Sequence, residues 1–201
     1  MNLPTQQQAL EYFEKYKVPD PIKNHCLQVQ RIAVFLAQNL KNAGVDINLE
    51  LVQIGSLLHD LFKAVAIKEP SLRFPPFTKE QLTMREQMRK KYPHMFENQI
   101  AFDVFKDDYP ELAKTLLNEG DPYLRERNWE ESVIHYADYR VFREELVSLE
   151  TRFEYFKQRY PAEEGFWSEY FDYCQQEEAK IFNSFPFNPG DLKRELEKHH
   201  G

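Results

Sequence analysis

Apolar residues recur along most of this chain at intervals of three and four, the spacing of amphipathic helices. The clearest stripe, Ile22, Val29, Ile32, Ala33, Leu36 and Leu40, predicts a helix from about Pro21 to Ala43. A proline suits its first turn, and Gly44 marks its end. Before it, Leu3 to Lys17 reads as a short helix stopped by Val18-Pro19-Asp20-Pro21. After it, Leu51, Ile54, Leu58 and Leu61 predict a helix from about Leu49 to Ala66. Prolines at 70, 75 and 76 make the stretch from Glu69 to Thr78 a loop. Lys79 to Lys91 reads as a charged, exposed helix, followed by helices over Met95 to Lys106 and Pro110 to Asn118, then a turn at Gly120-Asp121-Pro122. The stripe Val133, Ile134, Ala137, Val141 and Phe142 predicts the longest helix, about Trp129 to Tyr160, ended by Pro161. Phe166 to Asn183 is the last predicted helix, aromatic on one face. The expected architecture is all-α, with a helical core within residues 1–145 and a helical extension, 146–201, packed on it.

Composition narrows the class. The chain has 201 residues, 42% of them hydrophobic, enough for one domain with a sizeable core. Its formal net charge of −7 lacks the basic excess of a polynucleotide binder, so no polynucleotide partner is expected, whereas a small anionic substrate is still compatible with it, because one pocket can be locally positive on an acidic protein. Two distant cysteines, Cys26 and Cys174, form neither a disulfide framework nor a CxxC zinc site and read as buried thiols. The polar stretch Met1 to Tyr16 has no apolar signal core, and no run reaches the roughly 20 apolar residues of a membrane span. A cytoplasmic protein without a membrane partner is expected.

Three predicted helices each carry a potential metal ligand within an apolar stripe. His25 lies between Ile22 and Val29, His59-Asp60 follows Leu57-Leu58, and Asp138 lies between Ala137 and Val141. A carboxylate in such a stripe is costly unless it is paired or coordinates a metal. A lone histidine or aspartate of this kind is ordinary core chemistry; two of each in one small domain are harder to dismiss. The ordered set, with the flanks IKNHCLQVQRIAVFLA, IGSLLHDLFK and ESVIHYADYRV, resembles the HD-domain superfamily of metal-dependent phosphohydrolases over about residues 20–145. The resemblance implies an HD-type helical core and one divalent metal ion (Mn, Fe, Co, Ni, Zn or Mg) held by His25, His59, Asp60 and Asp138. It implies hydrolysis of a phosphate ester of a nucleotide or another small phosphorylated metabolite by metal-activated water. Adjacent helical residues point about 100° apart, so His59 and Asp60 can share an ion only if it sits across the helix end. Asp60 could also orient the attacking water.

Further candidates are weaker. Lys63, one turn from His59-Asp60, is positioned to meet a substrate phosphate or to be a surface lysine at a helix end. Arg140 could contact phosphate or pair with Glu144 one turn on. Arg73, in the proline-rich loop, is a candidate substrate contact on a lid. His94, where some family members place a further histidine, is either at the pocket or at a helix start. No histidine occurs between Leu112 and Trp129, and His135 is the one other candidate near Asp138, which favours one metal over two. The aromatic tail reads as packing, with a homodimer interface left open. The competing functions are a catalytically silent HD-fold module that binds metal and nucleotide, and a structural helical protein whose polar residues form buried pairs.

Overall fold

The computed structural model describes residues 2–67 and 76–198. The chain begins with α1 (Gln6–Lys15), whose first turn is closed by a reciprocal Thr5–Gln8 cap. The central α2 (Asp20–Asn42) follows Pro19 and buries Ile22, His25, Cys26, Val29, Ile32, Ala33, Leu36, Ala37 and Leu40 along one face. Then come α3 (Leu49–Leu58), the single turn α4 (Lys63–Ala66), α5 (Lys79–Lys91), α6 (Glu97–Phe105), α7 (Pro110–Glu119) and α8 (Trp129–Tyr139). A small antiparallel hairpin, β1 (Val141–Phe142) and β2 (Glu145–Leu146), precedes α9 (Leu149–Arg159), α10 (Phe166–Phe182), a 3-10 turn (Pro189–Asp191) and α11 (Leu192–Lys198). Among the described residues the fold is all-α apart from that hairpin.

Two predicted helices are broken. The expected helix from Leu49 to Ala66 stops at Leu58, where the backbone tightens: Leu61 N–H donates to Leu58 O at 3.1 Å, Lys63 N–H to Asp60 O at 3.0 Å, and Val65 N–H to Phe62 O at 2.9 Å. Bonds from i+3 to i wind the chain at three residues per turn, so side chains three apart are eclipsed. The expected helix from Trp129 to Tyr160 ends at Tyr139 and turns through the hairpin before α9 begins. Arg140 closes that hairpin twice: its carbonyl accepts from Val147 N–H at 2.8 Å, and its Nε–H donates to Val147 O at 2.6 Å. The apolar spacing of Val141 and Phe142 continues the helical period, but the two residues pair with Leu146 and Glu145 instead.

The core divides into two clusters that share α2. Its C-terminal half packs with α8 to α11, through Leu36, Leu40, Tyr136, Phe153 and Tyr170 among others. Its N-terminal half packs with α1 and α3 to α7, through Cys26, Leu57, Leu58, Phe105 and Leu116 among others. His25 stands where the two meet, between Ile22 of one cluster and Val29 of the other. Helices α3, α7 and α8 pack against one another beside α2. Gly55 sets the α3–α8 approach: a Cβ there would lie 2.7 Å from Ile134 Cδ1. Close passage of these helices brings the end of α3 next to the end of α8.

Candidate metal centre

His25, His59, Asp60 and Asp138 converge from α2, the tightened turn after α3, and α8. Ligand atoms of His25, His59 and Asp138 all lie within 4.8 Å of one another. Asp60 stands at the margin, its Oδ2 3.9 Å from Nε2 of each histidine. The two imidazole rings are 5.4 Å apart, centroid to centroid.

Both rings are held from behind. Nδ1 of His59 lies 2.7 Å from Ser56 O, a carbonyl of the last turn of α3 with no helical partner beyond it. Nδ1 of His25 lies 3.0 Å from Arg143 O at the tip of the hairpin. Carbonyl oxygens only accept, so each Nδ1 carries a proton, and Nε2 is the ring atom that each histidine turns toward the carboxylates. His25 Nε2 is 2.8 Å from Asp138 Oδ1. Two acceptors that close need a positive charge between them, either a proton or a metal ion. Among the described residues His59 Nε2 is buried without a hydrogen-bond partner; Asp138 Oδ1, at 3.6 Å, is beyond hydrogen-bonding range. A buried polar atom left unpaired is unusual and calls for a ligand. The donor set of two imidazoles and two carboxylates fits a borderline or hard divalent cation. Nδ1 bonded outward and Nε2 inward is the arrangement by which outer partners orient metal-binding histidines.

The local electrostatics point the same way. Burial alone would favour the neutral carboxyl at Asp60 and Asp138. Lys63 and His59 overcome it at Asp60, which is held below the usual carboxylate range; His25 and His59 hold Asp138 well below it. Burial pushes His59 down, but Cys26, Asp60 and Asp138 around it carry it well above its ordinary value. The cluster therefore attracts positive charge.

Lys63 belongs to this site. Eclipsed with Asp60 by the tight turn, its Nζ lies 3.4 Å from Asp60 Oδ1 and 2.9 Å from Glu97 Oε1 at the start of α6. Asp60 and Glu97 hold the ammonium well above its usual range, although the side chain remains 42% exposed. Arg140, expected near substrate, instead points away. It is 5% exposed and its guanidinium meets Tyr136 Oη, Glu178 Oε2 at 3.1 Å and Pro189 O at 3.3 Å, so it ties the hairpin to α10 and the 3-10 turn. Glu144 is not its partner. His94 is also corrected: it is exposed, adopts φ +65° in the turn before α6, and neither joins the cluster nor starts the helix. Arg73 lies outside the described residues.

His135 does not join the site either. One turn before Asp138, it faces α10, where Nδ1 pairs with Glu177 Oε2 and Nε2 with Tyr170 Oη at 2.7 Å. Cys174 completes a second compact group with them, but both ring nitrogens are already engaged. The thiols of Cys26 and Cys174 are free and buried, and burial raises both.

Three contributors escaped the sequence reading. The Arg143 carbonyl requires the hairpin, which the apolar period conceals. Glu97 gives no signal short of knowing where α6 begins. Glu119 was findable: Leu112, Leu116 and Glu119 share one face of α7, the same signal that marks Asp138. It is 5% exposed, and burial pushes its carboxyl up to about 8, with Asp138 and Asp60 adding to the effect and His59 and Arg127 opposing it.

Comparison with curated proteins and with solved structures returned no match. A family profile does match: the one described as HD domain, over residues 22–141, more than half of the chain and the whole span from α2 to β1 that carries His25, His59, Asp60 and Asp138. On that match the chain belongs to the HD domain family.

Proposed function

We propose that this protein holds one divalent cation per chain at His25, His59, Asp60 and Asp138, and hydrolyses a phosphate ester of a nucleotide or another small phosphorylated metabolite. The observation that carries the reading is the Nε2 of His59, buried and without a hydrogen-bond partner among the described residues, its Nδ1 fixed by Ser56 O while Nε2 faces the carboxylates of Asp138 and Asp60. A divalent ion bound there would polarise a phosphoryl oxygen as a Lewis acid and lower the pKa of a bound water towards about 7. The chain's own residues set the stage. Asp138 and Asp60, ionised at neutral pH, give the site its negative charge. Asp60 presents one oxygen to the histidines and the other to Lys63, so it can accept a hydrogen bond from water on the inner side while steadying the ammonium on the outer. Lys63, charged and partly exposed, offers the phosphate a cation at the mouth.

Phosphate release from a panel of nucleotides and phosphomonoesters, with Mn, Co, Ni or Mg added, tests this. Activity that requires metal and disappears in Asp138→Asn and Asp60→Asn is expected. No release with any metal would overturn the enzymatic reading, and tight nucleotide binding without turnover would assign a silent binding module instead.

A further inference from the structure

The hairpin after α8 lies against the N-terminal part of α2, and its tip touches α2 at two consecutive residues. The Arg143 carbonyl meets Nδ1 of His25 at 3.0 Å, and the Glu144 carboxylate accepts from Asn24 Nδ2 at 3.2 Å. The two-residue loop between β1 and β2 is Arg143-Glu144, and Arg143 adopts φ +61°. That left-handed backbone is unfavourable for a residue with a Cβ and is sustained only when surrounding contacts determine it. Arg140, two residues after Asp138, closes the base of the same hairpin through Val147. The hairpin thus starts beside one candidate ligand, Asp138, and ends on another, His25.

We propose that this hairpin is a positioning clamp: the Arg143 carbonyl fixes the ring orientation and protonated Nδ1 of His25, and the Asn24–Glu144 bond latches the tip onto α2. The inference rests on the metal-site reading only in treating His25 as a ligand. The work is done by a backbone carbonyl, so the Arg143 side chain is dispensable while its backbone conformation is not. A glycine adopts φ +61° freely and keeps the carbonyl; a proline, locked near φ −65°, cannot.

Two measurements test the clamp. The first is affinity for Mn or Co by calorimetry. Loss of an outer partner of a metal-binding histidine typically weakens binding roughly 10- to 100-fold. Arg143→Pro is expected in that range, and Asn24→Ala and Glu144→Ala at about 3- to 10-fold, since each removes one exposed hydrogen bond. Arg143→Gly should match the unaltered protein, and Glu144→Gln, which keeps an accepting oxygen, should restore most of what Glu144→Ala loses. The second is nitrogen-15 NMR of the His25 ring in metal-free protein, which needs no metal and no activity. A slowly exchanging Nδ1 proton is expected in the unaltered protein and in Arg143→Gly, with faster exchange in Glu144→Ala. Should the unaltered protein bind no metal, the proposed function fails and the NMR comparison still decides the clamp. Equal affinities across the series, or a His25 ring whose Nδ1 proton is absent or insensitive to Glu144→Ala, would overturn it.

Discussion

His135 and Asp138 are one turn apart on α8, yet they serve opposite kinds of polar cluster. Around His135 every ring nitrogen has a partner: Glu177 on one side, Tyr170 on the other, with Tyr173 donating to Glu177 at 3.1 Å and Arg127 donating to Tyr173 at 2.8 Å. The His135 ring is thus satisfied on both sides and buried, and it joins α8 to α10. Around Asp138 the rings are anchored from behind, and His59 Nε2 has no hydrogen-bond partner among the described residues. A satisfied buried network specifies packing; an unsatisfied one marks a place for a ligand. One helix thus carries both, three residues and about 60° apart around its axis, with His135 turned to α10 and Asp138 to α2 and the end of α3.

The contrast makes ranked predictions. The largest stability effect belongs to the closed cluster. Glu177→Ala leaves His135 and Arg127 without their buried acid and should cost about 3–5 kcal/mol in urea unfolding, while metal affinity in the folded fraction stays unchanged. Glu177 itself is held below the usual carboxylate range because His135, Arg127 and Tyr173 outweigh its burial. Its contribution is therefore present above the unfolded value and is lost as pH falls through the lowered folded one.

Glu119 behaves in the opposite sense. With its folded pKa raised to about 8, the native state keeps a proton that the unfolded chain releases above about 4.3, so stability declines as pH rises between those values. Glu119→Gln should remove that decline and stabilise the metal-free protein by on the order of 2–3 kcal/mol at pH 7. Urea midpoints at pH 5 and pH 8 check it; parallel curves for both proteins would remove Glu119 from the account.

At the open cluster the effect is linkage. Metal at about 100 times its dissociation constant should raise stability by about 2.7 kcal/mol. Asp138→Asn should abolish that increment while changing the metal-free protein much less. A comparable loss in the metal-free form would make Asp138 structural and erase the contrast with His135.

Gly55 links the two behaviours, since it sets how closely α3 approaches α8. Gly55→Leu should cost about 1–3 kcal/mol by overpacking against Ile134 and should also weaken metal binding, because His59 is displaced with α3. The smallest stability effect is expected at Lys63: partly exposed, its ion pairs contribute at most about 1 kcal/mol. Lys63→Ala should raise KM for a phosphorylated substrate with little change in melting temperature.

Much of this was legible in the chain. The buried face of α2 and the bounds of α5 follow from helical spacing. Acids and imidazoles in apolar stripes mark His25, His59, Asp60 and Asp138 as candidates, but that they meet was implied only by the resemblance to the HD-domain superfamily. What was hidden has a common cause: the backbone leaves the α-helix where no glycine or proline announces it. Arg143 turns the hairpin at positive φ without being glycine, and Val141 and Phe142 keep a helical period while lying in a strand. The turn from His59 to Phe62 likewise contains no breaker. Arg140 was misread for a related reason: with α8 ending at Tyr139, its side chain swings to Val147 and Glu178. His94 was placed at a helix start that falls three residues later.

The three-residue winding after Leu58 has a consequence for how this chain can change over time. In that stretch each added or deleted residue rotates everything beyond it by about 120°. One insertion between Asp60 and Lys63 would keep every residue type and still send those two side chains to different sides. Substitutions here can be conservative, but gaps cannot, so the number of residues in this short turn is under the same constraint as their identity.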